Sequence, residues 1–447
     1  MYVVVIGCGE VGRHLLRTLE WDRTDIAAID LDPVIISEVE ENHDVMTLVG
    51  YGAREDVLIQ AGVGRADLVV AVTNNDEVNL IAALASKRLG AKRVIARVQQ
   101  EDWANLDRGV SHGLLGVDVV INPQVLLAAE IAKITRSHGA SHVIDLANDR
   151  IELVEMELGN KGRMLHKPLS KLPFPPQTLI AAIVREGELF VPGGADVMQP
   201  GDRIYLLGQS GKLEAAEDLF TNQREARSIC IVGGGVVGTA LAQQLATEGV
   251  DVLIIEKDRA RAYEIGADLE KVTVVCGDGT DLNLLQEERV NDYDLFVAAS
   301  REDEVNLMAS LLAKRAGSER TLSIVHRPDY LEIYKQLGVD IVLSPRIVAS
   351  DQILRYTRKN DLKSLTVLEN GQAEVLEIQP SKGCKALGVP IHRLNIPPGA
   401  LIAALVKGNE TIIPRGSDVI ESTDTVIVLT TVGARRAVSR LFQKRGL

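Results

Sequence analysis

The sequence predicts an α/β protein built twice over: two doubly wound parallel-sheet lobes, each followed by a small α+β lobe. Three observations carry that reading. Short apolar runs alternate with helical patterns through residues 1–122 and again through 226–344. A glycine-rich turn follows the first apolar run of each series, VVVIGCGEVG at 3–12 and IVGGGVVG at 231–238. The halves also align. GYGAREDVL at 50–58 matches GDGTDLNLL at 277–285, and DEVNL at 76–80 recurs at 303–307, both offset by 227. LIAAIVREGELFVPGGADV at 179–197 matches LIAALVKGNETIIPRGSDV at 401–419, offset by 222. A repeat of about half the chain is a tandem duplication rather than a solenoid unit, and its junction falls near TNQREA at 221–226.

The elements follow in order. VVVIG is a continuous apolar run, as a parallel strand covered on both faces requires. The next helix puts Val11, Leu15, Leu16 and Leu19 on one side. Strand patterns follow at DIAAID, VMTLVG, DLVVAVT, RVIARV and VDVVINP, with helices at REDVLIQAG and EVNLIAALASKRLG. Strand and helix in alternation mean a Rossmann-like sheet, and 226–344 repeat the series. Helical stretches at 123–139 and 345–360, each opening on a proline, lead into small lobes at 140–222 and 362–447. In the first small lobe LIAAIVREGELFVP reads as a hairpin turning at Glu186-Gly187; its equivalent turns at Gly408-Asn409, and Asn370-Gly371 marks another turn.

Composition bounds the function. A chain of 447 residues calls for two to four domains, and 46% hydrophobic with 25% charged residues is that of a soluble globular protein. No run approaches the roughly 20 apolar residues that cross a bilayer. Met1 leads straight into a strand pattern, so a cytoplasmic protein without a signal peptide is expected. The net charge of −13 argues against a nucleic-acid partner. Cys8, Cys230, Cys276 and Cys384 stand alone, without metal-ligand spacing, and read as buried free thiols.

The glycine turns are the candidate sites. Gly7, Gly9 and Gly12 give the GxGxxG spacing, with Cys8, Glu10 and Val11 between them. Gly7 permits the turn, Gly9 lets backbone approach a pyrophosphate, and Gly12 lets helix and strand pack closely. Amides at the helix start then face the anion. Asp30, eighteen residues after Gly12, is the acid expected to hydrogen-bond ribose. The second copy supplies Gly233, Gly234, Gly235, Val236, Val237 and Gly238, with Glu256 at the same interval. Gly277 and Asp278 are placed to meet the adenine edge or the ribose; the first copy has Tyr51 at the matching position, so the two sites differ. Thr73, Asn74 and Asn75, like Ser300 and Arg301, fall at the carboxyl edge where ligands sit. Arg97 ends a strand within reach of a phosphate, and Val325-His326-Arg327 is the matching region. The plainer alternatives are a glycine turn that only packs, one degenerate site, and an arginine held in a surface ion pair. The acids favour NAD(H) over NADP, and ADP or ATP would use the same loop and acid.

These features alone also suit an NAD-dependent oxidoreductase. Against it, none of the eight histidines reads as paired with an acid and an arginine, and the small lobes are short for substrate domains. The order GxGxxG, Asp/Glu, GDGT, DEVNL and then the LIAAIVR hairpin resembles the RCK, or potassium-transport nucleotide-binding, family across essentially the whole chain. Two such modules in one chain are similar to the regulatory subunits of Trk-type potassium uptake. That resemblance implies a peripheral, non-enzymatic subunit that binds NAD+/NADH or ADP/ATP. It implies a homotetramer docked on a membrane potassium-transporter subunit at the inner face of the cell membrane. It also implies phosphate contacts at Gly7 to Val11 and Gly233 to Val237, with further contacts at Asp30, Thr73, Asn74, Arg97, Glu256, Gly277 and Asp278.

Overall fold

Val3 and Val5 pack on one side of the first strand and Val4 and Ile6 on the other, all of them buried. A strand with two apolar faces needs cover on both, and the alternating helices supply it. The computed structural model describes residues 1–21, 24–100, 109–147, 149–159, 164–356, 362–408 and 410–443. The first lobe runs β1 (Tyr2–Ile6), α1 (Glu10–Trp21), β2 (Asp25–Asp30), α2 (Pro33–Asn42), β3 (Met46–Val49) and α3 (Glu55–Gln60). It continues with β4 (Leu68–Ala71), α4 (Asp76–Arg88), β5 (Val94–Arg97), β6 (Val110–His112), β7 (Val119–Ile121) and α5 (Pro123–Arg136). The strand order is β3-β2-β1-β4-β5-β7-β6, and only the β6–β7 pair is antiparallel. The sequence reading lacks both α2 and β6. Helix α2 had a signal, since Asp32 caps it by accepting from the Val34 amide at 2.8 Å ahead of Pro33. Strand β6 is three residues long and has no alternation to read.

The first small lobe contains β8 (His142–Leu146), β9 (Ile151–Glu157), β10 (Thr178–Arg185), β11 (Glu188–Phe190), β12 (Arg203–Gln209) and α6 (Glu214–Glu217). The second sheet lobe runs β13 (Ser228–Val232), α7 (Val236–Thr247), β14 (Asp251–Glu256), α8 (Arg259–Asp268), β15 (Val272–Cys276) and α9 (Leu282–Glu287). It ends with β16 (Leu295–Ala298), α10 (Asp303–Ala316), β17 (Thr321–Ile324), α11 (Leu331–Gln336), β18 (Ile341–Leu343) and α12 (Pro345–Leu354). Its six strands are all parallel, in the order β15-β14-β13-β16-β17-β18. The last lobe has β19 (Leu362–Leu368), β20 (Ala373–Ile378), β21 (Ala400–Lys407), β22 (Glu410–Ile412), β23 (Thr425–Thr431) and α13 (Arg435–Phe442).

Contacts group the chain by lobe type. One compact unit is Met1–Ala132 with Ala226–Thr357, and the other is Lys133–Glu225 with Arg358–Leu447. In the first unit Ile353 and Leu354 of α12 enter the core of the first lobe beside Leu15, Leu16 and Leu19 of α1. The helix read as a link at the end of the second copy therefore completes the core of the first; the last residues of that stretch, 357–360, lie outside the described ones.

In the other unit both sheets are antiparallel and share one core, in which Leu153, Tyr205 and Leu207 meet Val375, Ala404 and Ile427. Arg203 bridges Glu155 of its own lobe and Glu369 of the other, each at 2.8 Å. The hairpin at Glu186-Gly187 forms with both residues at positive φ, and Arg185 pairs with Glu188 across it. Gly408 takes the matching turn, while Asn409 lies outside the described residues.

No helix among the described residues is long and apolar enough to cross a membrane. Cys8, Cys230 and Cys384 are buried free thiols, but Cys276, at the end of strand β15, is exposed, which corrects the expectation for that residue. Burial, then the nearby Asp30 carboxylate, pushes the Cys8 thiol up to about 12. Alkylation of the folded protein is expected to label Cys276 and spare the other three, as read by intact mass before and after unfolding.

Candidate nucleotide-binding sites

In both sheets the order reverses beside the first strand, β1 or β13, and the crevice beyond the carboxyl ends there is where open α/β sheets take ligands. Gly7 turns the chain with φ +95° while its amide donates to the Ile29 carbonyl at 2.8 Å. A Cβ on Gly7 would lie 2.7 Å from the Thr73 amide nitrogen, so the loop packs directly on the end of β4. A Cβ on Gly12 would lie 2.0 Å from the Gly7 carbonyl oxygen. Gly9 is different: a Cβ there meets nothing within 4 Å. The second copy repeats all three relations at Gly233, Gly238 and Gly235. Gly235 also N-caps α7 without any side-chain hydrogen bond, so the first-turn amides of that helix are left for another acceptor.

The acids hold these loops. Asp30 accepts from the Cys8 amide at 2.7 Å and, on its other oxygen, from the Asp32 amide at 3.0 Å. Glu256 does the same with the Gly234 amide at 2.6 Å and the Asp258 amide at 2.7 Å. Each carboxylate oxygen keeps a second lone pair, so anchoring the loop leaves capacity for a ribose hydroxyl.

The repeated DEVNL also has a physical role that sequence reading missed. Asn79 is fully buried; its Oδ1 accepts from the Thr73 amide at 2.8 Å and the Thr73 hydroxyl at 2.7 Å. Its amide group donates to the carbonyls of Thr73 and Arg97, both at 2.9 Å, fastening β4 to β5. Asp76 accepts from the Gln99 and Gln100 amides at 2.8 and 2.9 Å. Asn306 and Asp303 repeat the arrangement at Ser300, Ile324, His326 and Arg327. The identical five-letter repeat was the available signal, since only a fixed geometry needs both Asp and Asn at that spacing.

This alignment settles the position matching Arg97: Asn306 bonds Ile324 where Asn79 bonds Arg97, so the second copy has no arginine there. Arg97 lines a cavity of about 770 Å³ that also receives Val11 of α1 and Val236 of α7, together with Arg301, His326 and Arg346. The Arg97 Nε is buried without a hydrogen-bond partner, and burial lowers the guanidinium pKa, opposed by Asp76 and assisted by Arg346. Both glycine-loop helices therefore open on one cationic cavity within the unit. Glu10, on the exposed side of α1, pairs with Arg13 at 2.8 Å and Arg346 at 3.6 Å.

His326 corrects one expectation, for its Nδ1 lies 2.9 Å from Asp303 in an arginine-bearing cavity. His43 and His138 also pair with acids, Glu20 at 2.6 Å and Asp218 at 2.9 Å. At the outer end of the second site Asp278 binds Lys257 at 2.7 Å and Thr280, and those bonds hold its carboxyl down to about 2. Gly277 is a packing glycine, since a Cβ would come 2.4 Å from Leu284. Asn74 is exposed and Val237 buried. Among the described residues no cluster of His, Cys, Asp and Glu is arranged to hold a metal ion.

The TrkA-N domain family matches residues 3–123 and 229–345, and the TrkA-C domain family matches 153–221 and 375–443. The chain is 33% identical over 453 residues to Trk system potassium uptake protein TrkA homolog 1 of Methanosarcina mazei, covering 99% of this chain and 100% of that one. It is 33% identical over 443 residues to the TrkA homolog of Archaeoglobus fulgidus, with the same coverages. Among solved structures, the GsuK channel bound to NAD shares the fold with a TM-score of 0.60 at 17% identity, over 99% of this chain and 78% of that one. With two TrkA-N and two TrkA-C domains and relatives matched end to end, the chain belongs to the TrkA family of Trk potassium-uptake proteins.

Proposed function

We propose that this protein is the nucleotide-responsive regulatory subunit of a Trk-type potassium transporter, with no reaction of its own. NAD+ or NADH, or ADP and ATP, binds with its phosphates at the Gly7–Gly12 and Gly233–Gly238 loops and its ribose at Asp30 or Glu256. The chain assembles as a homotetramer on the cytoplasmic face of the transporter subunit, and exchange of nucleotide gates potassium flux. The observation that carries this reading is the pair of open positions, Gly9 and Gly235, immediately before helices whose first turns line a single cationic cavity. Phosphate charge placed there acts on α1, and α12 packs on α1 in the same core, so occupancy bears on both lobes together.

Native mass spectrometry of the purified chain tests the reading directly. Four chains carrying nucleotide mass support it; an apo monomer that takes up no added nucleotide contradicts it. Asp30→Ala is expected to weaken NAD binding by about 1.5–3 kcal/mol and to favour NADP relative to NAD, measured by calorimetry.

The oxidoreductase alternative now has one observation in its favour, the His326–Asp303 pair in the cavity. Gln99 holds the matching place in the first copy, where Asp76 anchors the same turn without a histidine, which favours a structural role for the aspartate. NADH absorbance is expected to stay constant over hours with hydroxy and keto acids. Turnover that disappears in His326→Gln would restore the enzyme reading.

A further inference from the structure

The two sites differ where the base of a nucleotide would lie. Asp30 pairs in register with Val49, and the Gly50 amide donates to the Asp30 carbonyl at 2.8 Å. Leu31 and Tyr51 therefore leave the ends of adjacent strands just beyond the acid. Leu31 and Val34 are each 64% exposed, Val49 55% and Tyr51 43%. Single exposed apolar side chains mean little, but these four lie within a few residues of the Asp30–Val49 pair at the carboxyl edge, where a covering ligand would bury apolar area.

Glu256 pairs in register with Cys276. The corresponding positions are thus Lys257, Ala260, Cys276 and Asp278, two of them charged and none a large apolar side chain. Lys257 Nζ donates to Asp278 Oδ2 at 2.7 Å, while Oδ1 accepts from the Thr280 amide at 2.9 Å and the Thr280 hydroxyl at 2.6 Å. Oδ1 is filled, and Oδ2 retains one acceptor position on a side chain that is 39% exposed.

We propose that the two sites read the purine differently: the first stacks any purine on Tyr51 against Leu31 and Val34, and the second accepts the 6-amino group of adenine at Asp278. The inference rests on the glycine-loop reading and deepens it. Aromatic stacking is indifferent to the group at C6, because every base presents a π-face. A carboxylate acceptor is not indifferent: opposite a 6-oxo group it loses that donor and faces another acceptor, so the site binds the analogue less tightly. The first site thus responds to the total purine nucleotide pool and the second to adenine nucleotides.

The test is calorimetric titration of the full chain with ADP and IDP. Gly235→Val isolates the first site and Gly9→Val the second. At the second site ADP is expected to bind at least about tenfold more tightly than IDP, and at the first within about threefold. In the Gly235→Val chain, Tyr51→Ala is expected to weaken both nucleotides about tenfold, and Tyr51→Asp to create a preference for ADP. One ADP/IDP ratio at both sites, or a Tyr51→Ala variant that binds as the parent does, overturns the proposal and leaves the glycine loops standing. Stoichiometry unchanged by either glycine variant overturns the loop assignment, and this proposal with it.

Discussion

Valine at position 9 is expected to abolish nucleotide binding at the first loop and leave the fold as it is. A Cβ on Gly9 enters open space, and Gly9 carries no positive φ, so neither a β-carbon clash nor backbone strain opposes the change. On the proposed function it fills the approach of the pyrophosphate instead. A loss of about 100-fold or more, equivalent to about 2.8 kcal/mol, is expected in calorimetry, with one of two sites gone. Gly235→Val is expected to do the same at the second loop. Gly12→Ala is the contrasting control: its methyl meets the Gly7 carbonyl oxygen, so this smaller change is expected to destabilise the lobe itself. Equal melting temperatures for Gly9→Val and the parent, with binding lost, separate a ligand contact from a packing defect.

Removing the buried amide clamp should have the opposite signature. Asn79→Ala frees the Thr73 amide and the carbonyls of Thr73 and Arg97 at the carboxyl edge, and Asn306→Ala does so at Ser300 and Ile324. Buried groups left without partners cost about 1–3 kcal/mol each, so each variant is expected to lose about 2–4 kcal/mol of stability in denaturant unfolding. Nucleotide present at saturation should recover part of that loss, because ligand binds only the folded site. Stability unchanged in both variants would show that the strand ends do not depend on the asparagines.

The glycine loops, the strand–helix alternation and the duplication were legible because each depends on local spacing. VVVIG needs two apolar faces, and Gly7, Gly9 and Gly12 need their intervals. What was not legible depends on which distant element arrives. Ile353 and Leu354 read as residues of a connecting helix, yet they fill the core beside α1 of the other copy. His326 met Asp303 only because β17 ends beside α10. Spacing points only to a ribose for the acids, while Asp30 and Glu256 also hold the amides of their own loops. The position matching Arg97 was legible, since the offset of 227 that aligns the two DEVNL segments places Ile324 there, as the bonds of Asn79 and Asn306 do.

The central claim is that nucleotide occupancy of these loops controls a potassium transporter. Two nucleotides whose affinities for two shapes of the assembly differ by about 1–3 kcal/mol would shift the balance 5- to 150-fold, and transporter binding must change nucleotide affinity by the same factor. The most direct measurement is potassium flux into liposomes carrying the Trk-type transporter, with this protein and NAD+, NADH, ADP or ATP in turn. The account predicts that flux depends on which nucleotide is present and that the dependence is lost in the chain carrying both Gly9→Val and Gly235→Val. Flux that is identical with and without the protein in every nucleotide state would contradict it.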